Sequence, residues 1–229
     1  MADLPKKTRG DHQLSALKVG VAALPFVGGP AAQLLSEVLT PPYVKRWEAF
    51  SVALAQRVED LIEQVDGLSQ SSLSENDRFV TACLRALRIA SLTHNQDKHD
   101  ALLNAVQNTI LVNPDEDISE LFFSFIEDLT PTHLRILSIL DGPTVPAQAP
   151  GAIDAKSYFP AIWQAIPALD GNIELTVHFM EALATRGLVR TGLGPTVTYR
   201  PSAGATGEIH AARLTTDLGR QFLSFIQQD

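Results

Sequence analysis

The side chains in this 229-residue sequence that could do chemistry are six histidines, one cysteine and a few acid or amide pairs. The histidines stand at positions 12, 94, 99, 133, 178 and 210. His94 and His99 are close in sequence, but on one helix their spacing turns them about 140° apart at 3.6 residues per turn. They read as ordinary surface histidines, not as metal ligands. Asp115, Glu116, Asp117 and Glu120 form an acidic cluster, with no lysine or arginine from Pro114 to Leu134. A calcium loop would need a central glycine and a terminal glutamate, so the cluster is read as the first turn of a helix, where carboxylates complement the dipole. Cys83 falls on an apolar stripe. A nucleophilic thiolate needs an electropositive, partly open setting, and a buried structural thiol is the expectation. Glu59 and Glu63 share a helical face and read as solvated surface. Asn104 and Asn108 also share a face, where they can hydrogen-bond a partner or face water. No Gly-rich phosphate loop, dinucleotide fingerprint, His-Glu-x-x-His or Gly-x-Ser-x-Gly occurs. The expectation is a non-enzyme with no catalytic residues, no cofactor and no metal.

The elements that must position these groups follow from composition and pattern. The chain is 45% hydrophobic but only 7% aromatic, so its apolar content is mostly aliphatic, as in helix-rich proteins. That composition excludes intrinsic disorder. One cysteine allows no intramolecular disulfide and favours a reducing, cytoplasmic setting. A formal net charge of −8 argues against bulk affinity for nucleic acid.

Lys6, Lys7 and Arg9 precede an apolar stretch over residues 14–39, uncharged between Lys18 and Glu37. Such a run just meets the ~18 residues that raise the question of a membrane span. Prolines and glycines break it, so two short helices are expected, about Gln13–Leu24 and Pro30–Leu39. The turn between them, Leu24, Pro25, Phe26, Val27, Gly28, Gly29 and Pro30, is a candidate membrane or partner hairpin; the plainer reading packs it on a soluble bundle. No cleavage boundary follows.

Thr40-Pro41-Pro42 reads as a helix start, opening a long amphipathic helix over Pro42–Leu68. A polar linker over Ser69–Ser74 follows. Ser74 then caps a helix to about Ser91 whose apolar stripe runs through Phe79, Val80, Cys83, Leu84, Leu87 and Ala90. Thr93 and Gln96 resemble a capping box for the next helix, through Leu102, Leu103, Val106 and Ile110. The acidic cluster opens another, with Ile118, Leu121, Phe122, Phe125 and Ile126 facing the core.

Thr130-Pro131 starts a short helix to Leu140, and an irregular connection over Thr144–Lys156 leads to helices at about Tyr158–Ile166 and Ile173–Arg186. After Gly187 the pattern turns extended. Leu188–Thr191 and Ala211–Thr215 are predicted to pair as a two-stranded hairpin with a long Gly/Pro/Ser-rich tip, and a last helix follows from Thr216. The order of helices, strands and tip over Leu129–Asp229 resembles a winged helix-turn-helix domain. The resemblance is carried by Ala182-Leu-Ala-Thr-Arg-Gly-Leu-Val189, similar to a recognition helix entering its wing, and by Leu214-Thr-Thr-Asp-Leu-Gly-Arg-Gln-Phe-Leu223, similar to a wing strand running into the final helix. The whole chain more weakly resembles bacterial proteins of the abortive-infection alpha type, through Phe122-Phe-Ser-Phe-Ile-Glu-Asp-Leu-Thr-Pro-Thr-His-Leu-Arg-Ile-Leu137. That resemblance implies a host-defence setting.

The expected architecture is mainly α: an amino-terminal helical bundle over 1–128, then a winged-helix-like domain with a small β-hairpin over 129–229. If that domain read DNA, the contacts would be Thr176, His178 and Arg186 on its third helix, with Arg190, Arg200 and Arg213 around the wing. Residues 1–128 carry 11 Lys/Arg against 18 Asp/Glu, net −7, and 129–229 carry 7 against 8, net −1. DNA readers are clearly basic as a rule, and Asp170, Glu174 and Glu181 make the third helix net acidic. The function expected is therefore an interaction or regulatory module of a bacterial-type cytoplasm, binding a protein partner or itself. A DNA-binding regulator and a membrane-active effector using residues 14–39 are its rivals.

Overall fold

The structure, a computed structural model, describes residues 30–142, 158–190 and 214–227. It begins with a long helix, α1, over Pro30–Gln64, in which Phe50, Leu54 and Leu61 are buried. Pro41 and Pro42 lie inside this helix. The break expected before Pro42 is absent: Pro30–Leu39 and the helix after Thr40 are one element. Each proline removes the donor for a carbonyl one turn earlier, here on Glu37 and Val38, and both residues are exposed. The expected helix over 13–24 and the turn residues Leu24 to Gly29 lie outside the described residues, and Pro30 is the first residue of α1.

The segment read as a polar linker forms a short helix, α2, over Gln70–Ser74, capped by Ser69. Asn76, not Ser74, caps α3 over Asp77–Leu92, its side chain accepting from the Phe79 N–H at 3.1 Å. The face that α3 buries holds Phe79, Ala82, Ala86, Ile89 and Ala90. Alanines at i, i+4 and i+8 let its backbone approach α1 closely, and the two helices pack together. The expected core stripe is thus displaced: Val80 and Leu84 are exposed, and Cys83 and Leu87 are only half-buried. Asn95, not Thr93, caps the next helix, α4, over Gln96–Leu111, accepting from the Lys98 N–H at 3.1 Å. His99, in the first turn of α4, is no ordinary surface histidine. Its Nε2–H donates to the carbonyls of Ala90 and Thr93, both at 3.2 Å, and its ring meets Phe50 edge-on at 5.5 Å. It thereby adds a donor at the end of α3, where the Ala90 carbonyl also accepts from the Thr93 N–H at 3.4 Å.

The chain divides into two compact units, Met1–His99 and Asp100–Asp229. The Asp128–Leu129 junction falls inside the second, where the helix before it is tied to the last helix of the chain. That earlier helix, α5, spans Glu116–Asp128 and is capped by Asp115. The last helix, α9, spans Asp217–Ile226. Phe122 stands 5.5 Å from Phe222 and 5.3 Å from Phe225, Phe123 meets Phe225 at 5.8 Å, and Phe125 meets Phe222 at 5.5 Å. All five rings are buried, a packing geometry that adds to the burial of their area. Leu121, expected in this core, is instead exposed.

Between them lie α6 over Pro131–Asp141, α7 over Phe159–Ala165, a 3-10 turn over Pro167–Leu169, and α8 over Ile173–Thr185. α6 packs on α7, α8 and α9. Thr130-Pro131 starts α6 as expected, with His133 Nδ1 accepting from the Thr130 N–H at 3.1 Å. After α8, Gly187 takes a positive φ of 73°, the left-handed position that ends helices. No strand occurs among the described residues. In place of the expected hairpin there is one antiparallel bridge, Val189 to Thr215, bracketed by Arg190 N–H to the Leu214 carbonyl at 2.8 Å and Thr216 N–H to the Leu188 carbonyl at 3.0 Å. Helices stand on one side of it, α8 ending just before Leu188 and Thr216 capping α9 through the Gly219 N–H at 2.9 Å, and residues 191–213 on its other side lie outside the described residues. The expected tip lies outside the described residues. The described chain is mainly α, as composition suggested.

Candidate functional site

The first candidate is α8 and its surroundings, where a nucleic-acid reader would place its contacts. Asn172 caps α8 through the Leu175 N–H at 3.1 Å. Thr176, one turn in, is wholly buried. Its hydroxyl accepts from Trp163 Nε1–H at 3.0 Å and donates to the Asn172 carbonyl at 2.8 Å. Thr176 therefore joins α7 to α8 and is no DNA contact; both roles of its hydroxyl are taken inside the fold. Arg186 is also engaged, donating to the Ala182 carbonyl at 3.2 Å and lying 3.7 Å from the Asp128 carboxylate. His178 and Arg190 are exposed, and Arg200 and Arg213 lie outside the described residues. What α8 offers to solvent is Ile173, Glu174, Leu175, His178, Glu181 and Thr185. That face is apolar and acidic, and phosphate would be repelled by it.

Asn104 and Asn108 have a definite task in the second unit. Asn104 Nδ2 donates to the Ile226 carbonyl at 2.9 Å. Asn108 Nδ2 reaches three carbonyls, of Ser224 at 3.1 Å, Phe225 at 3.0 Å and Gln227 at 3.2 Å. The last carbonyls of a helix have no partner within it, and these two amides supply donors to the end of α9. Their i, i+4 spacing was visible in the sequence; the acceptors, more than a hundred residues away, were not.

Burial pushes the Cys83 thiol up to about 11, outweighing a backbone hydrogen bond that favours the thiolate. It stays protonated at neutral pH and is a poor nucleophile. Among the described residues, no group of three or more His, Cys, Asp or Glu is placed to hold a metal ion, and no helix is long and apolar enough to cross a membrane.

The remaining candidate is a surface that includes Val80 and Leu84, both expected in the core. In the first unit Leu84 is 63% exposed and Val80 lies beside it one turn earlier on α3; on α1, Val52 is 72% exposed. Large aliphatic side chains so open to water on ordered helices are candidate contact points. The available signal was the set Ala82, Ala86 and Ala90. Once those alanines take the buried face, Leu84 must point away from it. Comparison of the chain with protein-family models, with curated proteins and with solved structures finds no match.

Proposed function

We propose that the chain is a non-enzymatic protein-interaction or regulatory module of the cytoplasm that binds through exposed apolar faces of its helices. The observation that carries this reading is Leu84, open to solvent on a well-packed helix with Val80 beside it. A contact made there removes apolar area from water at roughly 25 cal/mol per Å² and disturbs nothing in the core. The order of α6, α7, α8, bridge and α9 supports a winged-helix-like arrangement in the second unit. Its acidic and apolar α8 face suits a protein partner better than DNA. Affinity purification of the full chain, with light scattering of what elutes, tests the reading. The wild type is expected to elute as an assembly, with itself or with a stoichiometric protein, and Leu84→Asp to weaken that assembly at least about tenfold, the loss of one well-placed contact of ~1.4 kcal/mol. A strict monomer at high concentration with nothing bound would overturn it.

One observation favours a second reading, attachment to a lipid surface. Leu34, Val38 and Leu39 are exposed near the start of α1, around the end of the uncharged run of the sequence. Leu34 and Val38 share a helical face, as an interfacial anchor requires. Flotation with anionic liposomes decides it: the wild type should float and Val38→Asp should not, and a wild type that stays at the bottom ends the idea.

A further inference from the structure

The first turns of α1 give little to the core of the first unit. Among the described side chains from Pro30 to Ala49 only Thr40 is buried, whereas Phe50, Leu54 and Leu61 further along all are. Leu34, Val38, Pro41 and Lys45 are exposed at i, i+4, i+7 and i+11, which places them on one face of the helix, opposite to the side that Phe50 and Leu54 bury. Leu34 is 61% and Val38 59% exposed. Glu37 and Glu48 flank that face on one side and Arg46 on the other, so with Lys45 the local charges balance. The chain around it is not balanced. Residues 1–47 hold six Lys/Arg against three Asp/Glu, net +3, and residues 48–229 hold twelve against twenty-three, net −11. The positive excess thus coincides with the uncharged run before Glu37 and with the exposed aliphatic side chains at its end. Further along the same face Glu59 and Glu63 are exposed, Glu59 about 20 Å beyond Lys45 at 1.5 Å per residue.

We propose that this amino-terminal face of α1 seats on an anionic lipid surface, with Leu34 and Val38 in the headgroup layer and Lys45 beside the phosphates. The proposal rests on the lipid reading above and adds the charge of the lipid and the end of the helix that meets it. A short apolar face is by itself a marginal anchor, and stable attachment to a membrane takes a second signal such as a basic patch. Lys6, Lys7, Arg9 and Lys18, before the face in sequence, and Lys45 on it supply that signal. Each basic residue near an anionic leaflet is worth about fivefold in binding. A lipid surface needs no matching shape and gathers basic residues spread along a chain. The remainder of the chain, net −11, is repelled by the same surface. A helix lying flat would bring Glu59 and Glu63 down with Lys45; α1 therefore meets the lipid tilted, by its first turns. Among the described residues no helix is long and apolar enough to cross a membrane, in keeping with a seat in the interface.

Flotation of the full chain with vesicles of phosphatidylcholine alone, and with a third of it replaced by phosphatidylglycerol, tests this. The wild type is expected to float with the anionic vesicles, to stay at the bottom with the neutral ones, and to be released when salt is raised from about 0.05 to about 0.5 M, where screening shortens the reach of the charges. Val38→Asp should abolish flotation, and Lys45→Gln should weaken binding about fivefold. Val52→Asp adds the same charge to the same face about 20 Å beyond Val38, and should float as the wild type does. Should Val38→Asp lose helicity by circular dichroism, Leu34→Asp takes its place. Equal flotation with both kinds of vesicle would leave lipid attachment standing and overturn the anionic surface. A wild type that floats with neither would end both. A Val38→Asp variant that floats like the wild type, or a Val52→Asp variant that sinks with it, would mean that the first turns of α1 are not the seat, and would also overturn the proposal.

Discussion

Gly219→Ala will lower the thermal midpoint by roughly 10 °C, the shift expected when a chain of this size loses about 3 kcal/mol. Gly219 sits in the first turn of α9 directly over the backbone of Leu188. A Cβ built there would lie 2.1 Å from the Leu188 carbonyl oxygen and 3.0 Å from its carbon. Neither atom belongs to a side chain that could swing away. The Leu188 carbonyl also accepts from the Thr216 N–H at 3.0 Å and from the Thr216 hydroxyl at 3.2 Å, so displacing it breaks the start of α9 as well. Two effects oppose each other. Alanine in place of glycine favours a helix by about 1 kcal/mol. Overpacking costs about 1–3 kcal/mol as a rule and occasionally more; a contact this short with immobile backbone goes beyond that range to about 4 kcal/mol, which leaves a net loss of about 3 kcal/mol. Gly187→Ala makes the comparison informative. Its φ of 73° strains any side chain, but the nearest atom to a new Cβ is Leu218 Cδ2, at an ordinary 3.8 Å. It should lose only the ~1–2 kcal/mol of left-handed backbone. Differential scanning calorimetry of the two variants should therefore rank Gly219→Ala below Gly187→Ala, and the opposite order would show that α9 does not press on Leu188.

Helix content and most helix positions were legible because apolar periodicity and capping residues are local signals. Thr130 before Pro131 caps the helix that it was expected to cap, and Asp115, expected in the first turn of the acidic helix, is its cap. Where the reading failed, a tertiary contact overrode a local preference. Pro41 and Pro42 mark a helix start in isolation, but α1 continues through them because it packs on α3. Hydrophobic size misled in α3. Phe79 and Ala90 fit both readings, but Val80 and Leu84 outrank alanine in hydropathy, and only the approach of α1 selects Ala82 and Ala86 for burial. The order of the helices in the second unit was legible as a sequence of elements; of the expected hairpin, the described residues hold only the bridge of Val189 with Thr215.

The candidate sites were legible as residue types but not as assignments. Thr176 looked available because threonine on a third helix is a plausible base contact; the indole of Trp163, thirteen residues earlier, occupies it. Arg186 likewise has its charge 3.7 Å from Asp128, a residue on another helix. Asn104 and Asn108 were recognised as a pair, yet an amide on an exposed face and an amide closing a distant helix have the same spacing. Partners far away in sequence leave no periodic trace, which is why the polar contacts that fix the last helix had to come from the structure.

Those contacts give the second large effect. Asn108 is nearly buried, and its amide nitrogen is surrounded by the carbonyls of Ser224, Phe225 and Gln227. Asn108→Ala removes the donor and leaves these carbonyls with less solvation than they had unfolded, a loss of about 1–3 kcal/mol. Asn108→Asp keeps the shape but places a carboxylate oxygen where the donor was. Oxygen then faces oxygen, and a negative charge meets the negative end of α9, a further ~1–2 kcal/mol in a partly buried site. At pH 7 the aspartate variant should therefore be the less stable of the two. The sign with pH follows from the same surroundings. Carbonyls and burial disfavour the ionised form, so the folded-state value for the new carboxyl lies above the ~3.9 of an unfolded aspartate. Its excess penalty is full above the folded value and vanishes as pH falls below the unfolded one, because a protonated carboxyl can donate to one of the carbonyls. Urea titrations of both variants at pH 7 and at about pH 4 should show the gap between them closing on acidification. A gap that stays constant or widens would mean that the side chain at 108 turns away from the end of α9, and that the helix is held by its phenylalanines alone.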